Sequence, residues 1–182
     1  MIKLATAPAI DLVVAADVRS FMRMSSTDYD AALLKLAQAA RQQAENFTRR
    51  AFITQTWQKM LDASEVQDAI KLPRPPLLAV SSVTTYNDAG TPSTQDPSTY
   101  TYDNFSEPGW LTLLTGHAWN YCREYNGMLI EYTAGYGPAV SDVPAAITMA
   151  VTEAAAYAYV NGKAGELPED VMVKLKPYIV YL

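Results

Sequence analysis

Apolar and polar positions change rhythm twice along the chain. Between residues 27 and 51, Tyr29, Leu33, Leu36, Ala40, Ala44, Phe47 and Ala51 recur every three or four positions, while Lys35, Gln38, Arg41, Gln42, Glu45 and Arg49 fall largely elsewhere. That spacing predicts one long amphipathic helix. Thr27 suits its N-cap, Asp28 and Asp30 match the positive end of the dipole, and Arg49 and Arg50 fall in the last turn, where cations are favoured. At ~1.5 Å per residue the helix spans roughly 36 Å. A shorter helix over residues 14–24, with Val18, Phe21 and Met22 on one side, precedes it, and the polar turn Ser25-Ser26-Thr27 makes the two an αα-hairpin. Residues 1–13 read as an extended arm in which residues 10–14 form a strand or a packing strap.

At Ile53 the period shortens to two. Ile53, Trp57 and Leu61 share one face of a strand rich in β-branched and aromatic residues. Further strands are predicted over residues 69–72, 77–86, 100–102, 110–113 and 128–133, with turns at residues 87–90 and at Pro108-Gly109. Pro73-Arg74-Pro75-Pro76 reads as a stiff extended link, or as a proline-rich ligand segment. The aromatic residues of this region, Trp57, Trp110 and the tyrosines, are its core and rim or else a sugar-binding surface. After residues 135–138 the helical period returns. Pro144 opens a helix whose apolar face is Ile147, Val151, Ala154, Ala155, Ala158 and Tyr159, and Asn161-Gly162 stops it. A last short helix runs from Leu167 to about Lys176, where Pro177 ends it. The pattern predicts an α+β fold: a helical bundle of residues 1–52 and 138–182 carrying an inserted small antiparallel β domain of residues 53–137.

The chain closes on Tyr178-Ile179-Val180-Tyr181-Leu182, five nearly all-apolar residues. Such an ending must be buried, on its own domain or on a partner.

Composition narrows the chemistry. A chain of 182 residues supports one sizeable core, or one core with a large insertion. The single cysteine, Cys122, rules out an internal disulfide framework, and with the single His117 it argues against a thiolate or histidine-rich metal site. No basic segment followed by an apolar core marks a signal peptide, and no apolar run reaches the ~20 residues that span a bilayer. A soluble chain, cytoplasmic when made, with no membrane partner is therefore expected. The net charge is −5, and the only basic cluster is Arg41, Arg49 and Arg50, with Arg74 further on. A helix C-terminus explains Arg49 and Arg50 as solvated, dipole-matched charges, so tight DNA binding is not expected.

His117 and Cys122 lie five apart in a loop without a nucleophile elbow, which makes a poor nucleophile–base pair. The carboxylates are scattered: Asp62, Glu65 and Asp68 surround a turn, Glu107, Glu124 and Glu131 lie in the β region, and Glu166, Glu169 and Asp170 fit a loop and a helix start. A glycosidase needs two of them facing across a cleft. No catalytic residue, cofactor or metal site is assigned, and a structural or interaction protein is expected rather than an enzyme.

Several segments together resemble the head–tail connector proteins of tailed bacteriophages, the neck adaptor or head-completion family, in its branch with a β insertion. They are the long helix ending AENFTRRAFITQTW, the segments KLPRPPLLAVSSVTTY and YTAGYG, the helix start DVPAAI and the ending LKPYIVYL, in the family's order. The resemblance implies a ring of identical subunits, usually twelve-fold, beneath the portal protein in the virion neck. Such a ring extends the DNA channel, lets viral DNA pass without specific binding, and docks the downstream neck or tail-completion protein after assembly in the host cytoplasm. It implies a portal-binding role for Tyr178, Ile179, Val180, Tyr181 and Leu182. The alanine-rich faces of residues 31–44 and 145–158 become candidates for helix contacts within or between subunits, with Leu33, Ala37, Ala40, Ala44, Val151 and Ala155 at the subunit contact. Acidic side chains are expected to line the lumen. A tail-completion or tail-terminator protein, a carbohydrate-binding or hydrolysing module, and a bacterial or prophage-borne protein unrelated to virions are the competing readings.

Overall fold

The computed structural model describes residues 1–181. The fold is α+β, with four α-helices and two antiparallel sheets, and the chain divides into two compact units.

The helical unit holds Ala9–Ile53 and Tyr136–Tyr181. Its helices are α1 (Ala15–Met22), α2 (Asp30–Thr48), α3 (Ala145–Asn161) and α4 (Glu169–Leu175). Leu12 and Val13, on the segment before α1, are buried in its core, so this segment is a strap and not a strand. The Asp17 carboxylate accepts the Val14 N–H at 3.0 Å and caps α1. α2 begins later than the spacing predicts. Ser26 Oγ accepts the Asp28 N–H at 3.1 Å and Thr27 O accepts the Asp30 N–H, so residues 26–29 are spent on a turn and Tyr29, not Thr27, takes the N-cap position. An ion pair of 2.6 Å between Arg19 and Asp30 ties α1 to α2. The helix stops at Arg49, whose φ of 59° is left-handed, and Arg50 and Ala51 lie beyond it. The buried stripe of α2 is Leu33, Ala37, Ala40, Ala44 and Thr48, while Leu36 is only half-buried and Tyr29 is exposed. α3 lies between α1, α2 and α4. Gly162 ends it in the left-handed conformation, φ 67°, that glycine adopts without steric cost.

The sheet unit holds Met1–Pro8 and Thr54–Gly135. Its strands are β1 (Ile2–Thr6), β2 (Gln55–Leu61), β3 (Ala69–Leu72), β4 (Leu77–Tyr86), β5 (Pro92–Thr94), β6 (Tyr100–Asp103), β7 (Gly109–Leu113) and β8 (Met128–Ala134). They form a five-stranded sheet in the order β1-β2-β8-β4-β5 and a three-stranded sheet in the order β3-β7-β6. β1 and β5 are edge strands that the residue pattern does not predict. β1 pairs Ile2 with Lys59 and Leu4 with Trp57, so residues 1–8 group with the sheets and not with the helices. The period of two is clearest in β8, where Met128, Ile130, Tyr132 and Ala134 are buried and the residues between them are half-buried. Ile53 does not continue β2; it makes an isolated bridge to Gly137 inside the helical unit. Lys59 donates to Lys71 O at 2.7 Å and the Tyr132 hydroxyl to Pro73 O at 2.8 Å, joining the two sheets and fixing the proline-rich link. At Gly109 the sheets come close enough that a Cβ would lie 2.7 Å from Leu77.

Candidate functional site

The residues expected at a subunit contact are at the centre of the helical unit. Leu33, Ala37, Ala40, Ala44, Val151 and Ala155 are each at most 5% exposed and belong to one cluster. Small side chains on α2 and α3 let these two helices approach, and that approach occurs inside the protomer. These six positions have no surface left for a neighbour, so they are corrected to core residues.

The apolar tail is tied down where α2 ends. The Val180 N–H donates to Thr48 O at 3.0 Å, and Val180 itself is 4% exposed. Arg50 Nε donates to Tyr178 O at 2.6 Å, and its guanidinium lies 5.9 Å from the centre of the Tyr136 ring. Arg50 is 7% exposed, which corrects its reading as a solvated charge. Beside it the buried Glu45 accepts the Phe52 N–H at 3.0 Å and pairs with Arg41 at 2.8 Å. The predicted basic cluster is thereby split: Arg41 and Arg50 are used structurally, and Arg49 alone faces solvent. Of the five tail residues, Tyr178 and Ile179 are half-buried, Val180 is buried, Tyr181 is 83% exposed, and Leu182 lies outside the described residues. Among the described residues of the tail, Tyr181 is the one it presents.

α3 has a second unusual surface. Its 17 residues include one charge, Glu153, so the helix is apolar on every side. The core takes the side bearing Ile147, Val151, Ala154 and Ala158. The opposite side carries Ala145, Ala146, Met149, Glu153 and Val160, with Met149 54% and Val160 73% exposed. Phe21 of α1 (47%) and Val140 (37%) widen the patch. Two grooves that share Thr148 and Met149 cross it, one of about 500 Å³ reaching Asp142 and Val140, the other of about 330 Å³ reaching Asp17 and Phe21. Glu153 is paired with Lys174.

The candidate chemistry of the sheet unit is used for structure. His117 is exposed and its N–H donates to Leu114 O. Burial pushes the Cys122 thiol above its usual pKa, the direction opposite to activation. Asp62 accepts the Asn126 N–H, Glu65 the Asp62 N–H, and Glu131 the Gln58 amide. Among the described residues no three His, Cys, Asp or Glu side chains come together to hold a metal. The aromatic residues of the 114–127 loop tie it down: Trp119 donates to Gln67 O and Tyr121 to Asp88. The residue that sequence reasoning missed is Gln95, 3% exposed, which donates to Thr99 Oγ1 at 2.8 Å and Ala118 O at 3.2 Å and accepts the Asn120 N–H at 2.9 Å. Its only signal in sequence is a polar residue among polar neighbours.

No family model matches the sequence, and no curated protein matches it. Solved structures do. A chain in the neck of an empty gene transfer agent (GTA) particle, computed with C6 symmetry, superposes with a TM-score of 0.82 at 25% identity, covering 100% of this chain and 96% of that one. A chain of the native gene transfer agent virion and one from the native neck computed with C12 symmetry each give a TM-score of 0.81 at 23% identity over the same shares. The chain therefore has, over its whole length, the fold of chains found in these particles.

Proposed function

We propose that this protein is a structural component of the neck of a phage-like particle, a head–tail adaptor and not an enzyme. The observation that carries this reading is the likeness over the full length to a chain of a gene transfer agent neck at 25% identity. Identical copies form a ring through two different faces of each subunit, as a closed heterologous assembly requires. The ring, twelve-fold in our reading, sits beneath the portal protein, continues the DNA channel during genome packaging and release, and receives the next neck or tail-completion protein. The net charge of −5 suits a wall past which DNA slides without adhering. The tail docks on the portal through Tyr181 and the residue after it, with Tyr178 and Val180 holding it to its own subunit.

Light scattering and negative-stain microscopy of the protein, alone and mixed with the portal complex, test this. A ring, or a monomer that adds to the portal as a ring, is expected. A monomer indifferent to the portal rejects the adaptor role.

A further inference from the structure

We infer that the uncovered side of α3 is the acceptor face of the subunit contact, and that the outer side of α2 from the next copy covers it. This deepens the ring reading above and rests on it. A helix that is apolar all round belongs in a buried environment. α3 is such a helix, yet Met149 and Val160 on its outer side are more than half exposed, and Phe21 and Val140 extend the same apolar surface. The subunit alone leaves that surface in water.

Charge identifies the occupant. The acceptor grooves are edged by exposed carboxylates, Asp17 and Asp142, which make local capping bonds to Val14 and Ala139. The outer side of α2 is the complement. Lys35, Gln42, Asn46 and Arg49 line it, all exposed, and the only carboxylate between Ala31 and Arg49 is Glu45, which is buried. Lys35, Gln42 and Asn46 stand opposite the buried stripe of Leu33, Ala37, Ala40 and Ala44, and Arg49, at the cap just past the helix, is exposed as well. Two different faces on one subunit, one apolar and edged by acid, the other amide-rich and basic, make a head-to-tail contact that repeats. Amide and aliphatic stems of glutamine, asparagine and arginine cover apolar surface while their polar ends meet the carboxylate rim.

Cysteine cross-linking separates this from its alternatives. In a Cys122→Ser background, Met149→Cys marks the acceptor face and Gln42→Cys the donor face, both at exposed positions. The protein, alone and with the portal complex, is treated with a long-armed bismaleimide. The chain bearing both cysteines is expected to give a ladder of multimers. Each single-cysteine chain alone is expected to stay uncross-linked, and the two mixed to give a dimer. Dimers from Met149→Cys alone mean a two-fold contact and overturn the inference. Assemblies seen by light scattering without a ladder overturn this face and leave the ring standing. Absence of both assembly and ladder overturns the two together.

Discussion

Replacing Arg50 with methionine tests how the C-terminal tail is held. The substitution keeps the aliphatic stem and removes the guanidinium. The hydrogen bond from Arg50 Nε to Tyr178 O, 2.6 Å long, is lost; a bond to a charged donor contributes about 1.5–3 kcal/mol. The stacking over Tyr136 at 5.9 Å is lost too, about 0.5–1 kcal/mol for a partly screened cation. Tyr178 O then regains a partner from water as the tail loosens, which recovers part of the loss. The expected net cost to the helical unit is about 2–3 kcal/mol. Urea unfolding followed by far-ultraviolet circular dichroism reads this, because the helices of that unit dominate the signal. Arg49→Met, one residue earlier and exposed, is the control, expected within about 0.5 kcal/mol of the parent. Hydrogen exchange supplies the local readout: the Val180 amide, which donates to Thr48 O, is expected to lose protection in the Arg50 variant and to keep it in the control. A cost under about 0.5 kcal/mol with the Val180 amide still protected would refute the reasoning, since the tail would then be held by Val180 itself, through its burial and its bond to Thr48 O, without Arg50.

Other outcomes follow from the same geometry. Arg49→Gly relieves the left-handed φ of 59° at the end of α2 and is expected to raise the unfolding free energy by about 0.5–1 kcal/mol while weakening assembly, the second effect being read by light scattering. Gln95→Leu strands the Asn120 N–H and the Ala118 carbonyl. It is expected to cost about 2–3 kcal/mol and to speed amide exchange across residues 114–127. Removing Tyr181 and Leu182 is expected to abolish portal binding in a pull-down with no change in unfolding midpoint, whereas deletion from Pro177 onward also destabilises the helical unit. Burial raises the Tyr132 pKa well above its ordinary value of 10.0. The unfolded chain therefore releases this proton first, and the stability associated with Tyr132 is complete below pH 10 and falls above it by about 1.4 kcal/mol per pH unit. Urea titrations between neutral and strongly alkaline pH measure the slope, which Tyr132→Phe is expected to reduce.

Most of the elements were readable because their signals are local. The 3.6-residue rhythm around Leu33 and Ala44, the stop at Gly162 and the alternation through β8 each declare themselves within one element. What was not readable depends on distant residues. β1 is a strand because it pairs with β2, and nothing within Ile2–Thr6 announces that partner. Thr27 has the chemistry of an N-cap, but its neighbours Ser26 and Asp28 bond to each other first and postpone the helix. Arg50 reads as a dipole-matched surface charge until Tyr178, 128 positions away, brings its carbonyl to it. The site residues fared differently for a related reason. Alanine on a helix marks a close contact and is silent about whose helix fills it, and here α2 and α3 fill each other's faces.

In the proposed ring, that internal use of the alanine faces decides where subunits have to meet. If Leu33, Ala37 and Val151 close the subunit's own core, a ring can be built only from what the core leaves out. On α3 the residue is an apolar side with a single charge, Glu153, already paired with Lys174. On α2 it is a polar, basic side. A monomer built only to be soluble has no use for the first, because a surface helix is polar where it meets water. The outer residues of α3 are therefore the positions at which a polar substitution separates assembly from folding. Met149→Lys is expected to leave the unfolding free energy within about 0.5 kcal/mol of the parent, since the side chain is already half in solvent. In the proposed contact the same change sets a cation against the Lys35 and Arg49 of the next copy, and is expected to keep the protein monomeric by light scattering both alone and with the portal complex. Rings of unchanged mass from the Met149→Lys protein would show that assembly uses another surface.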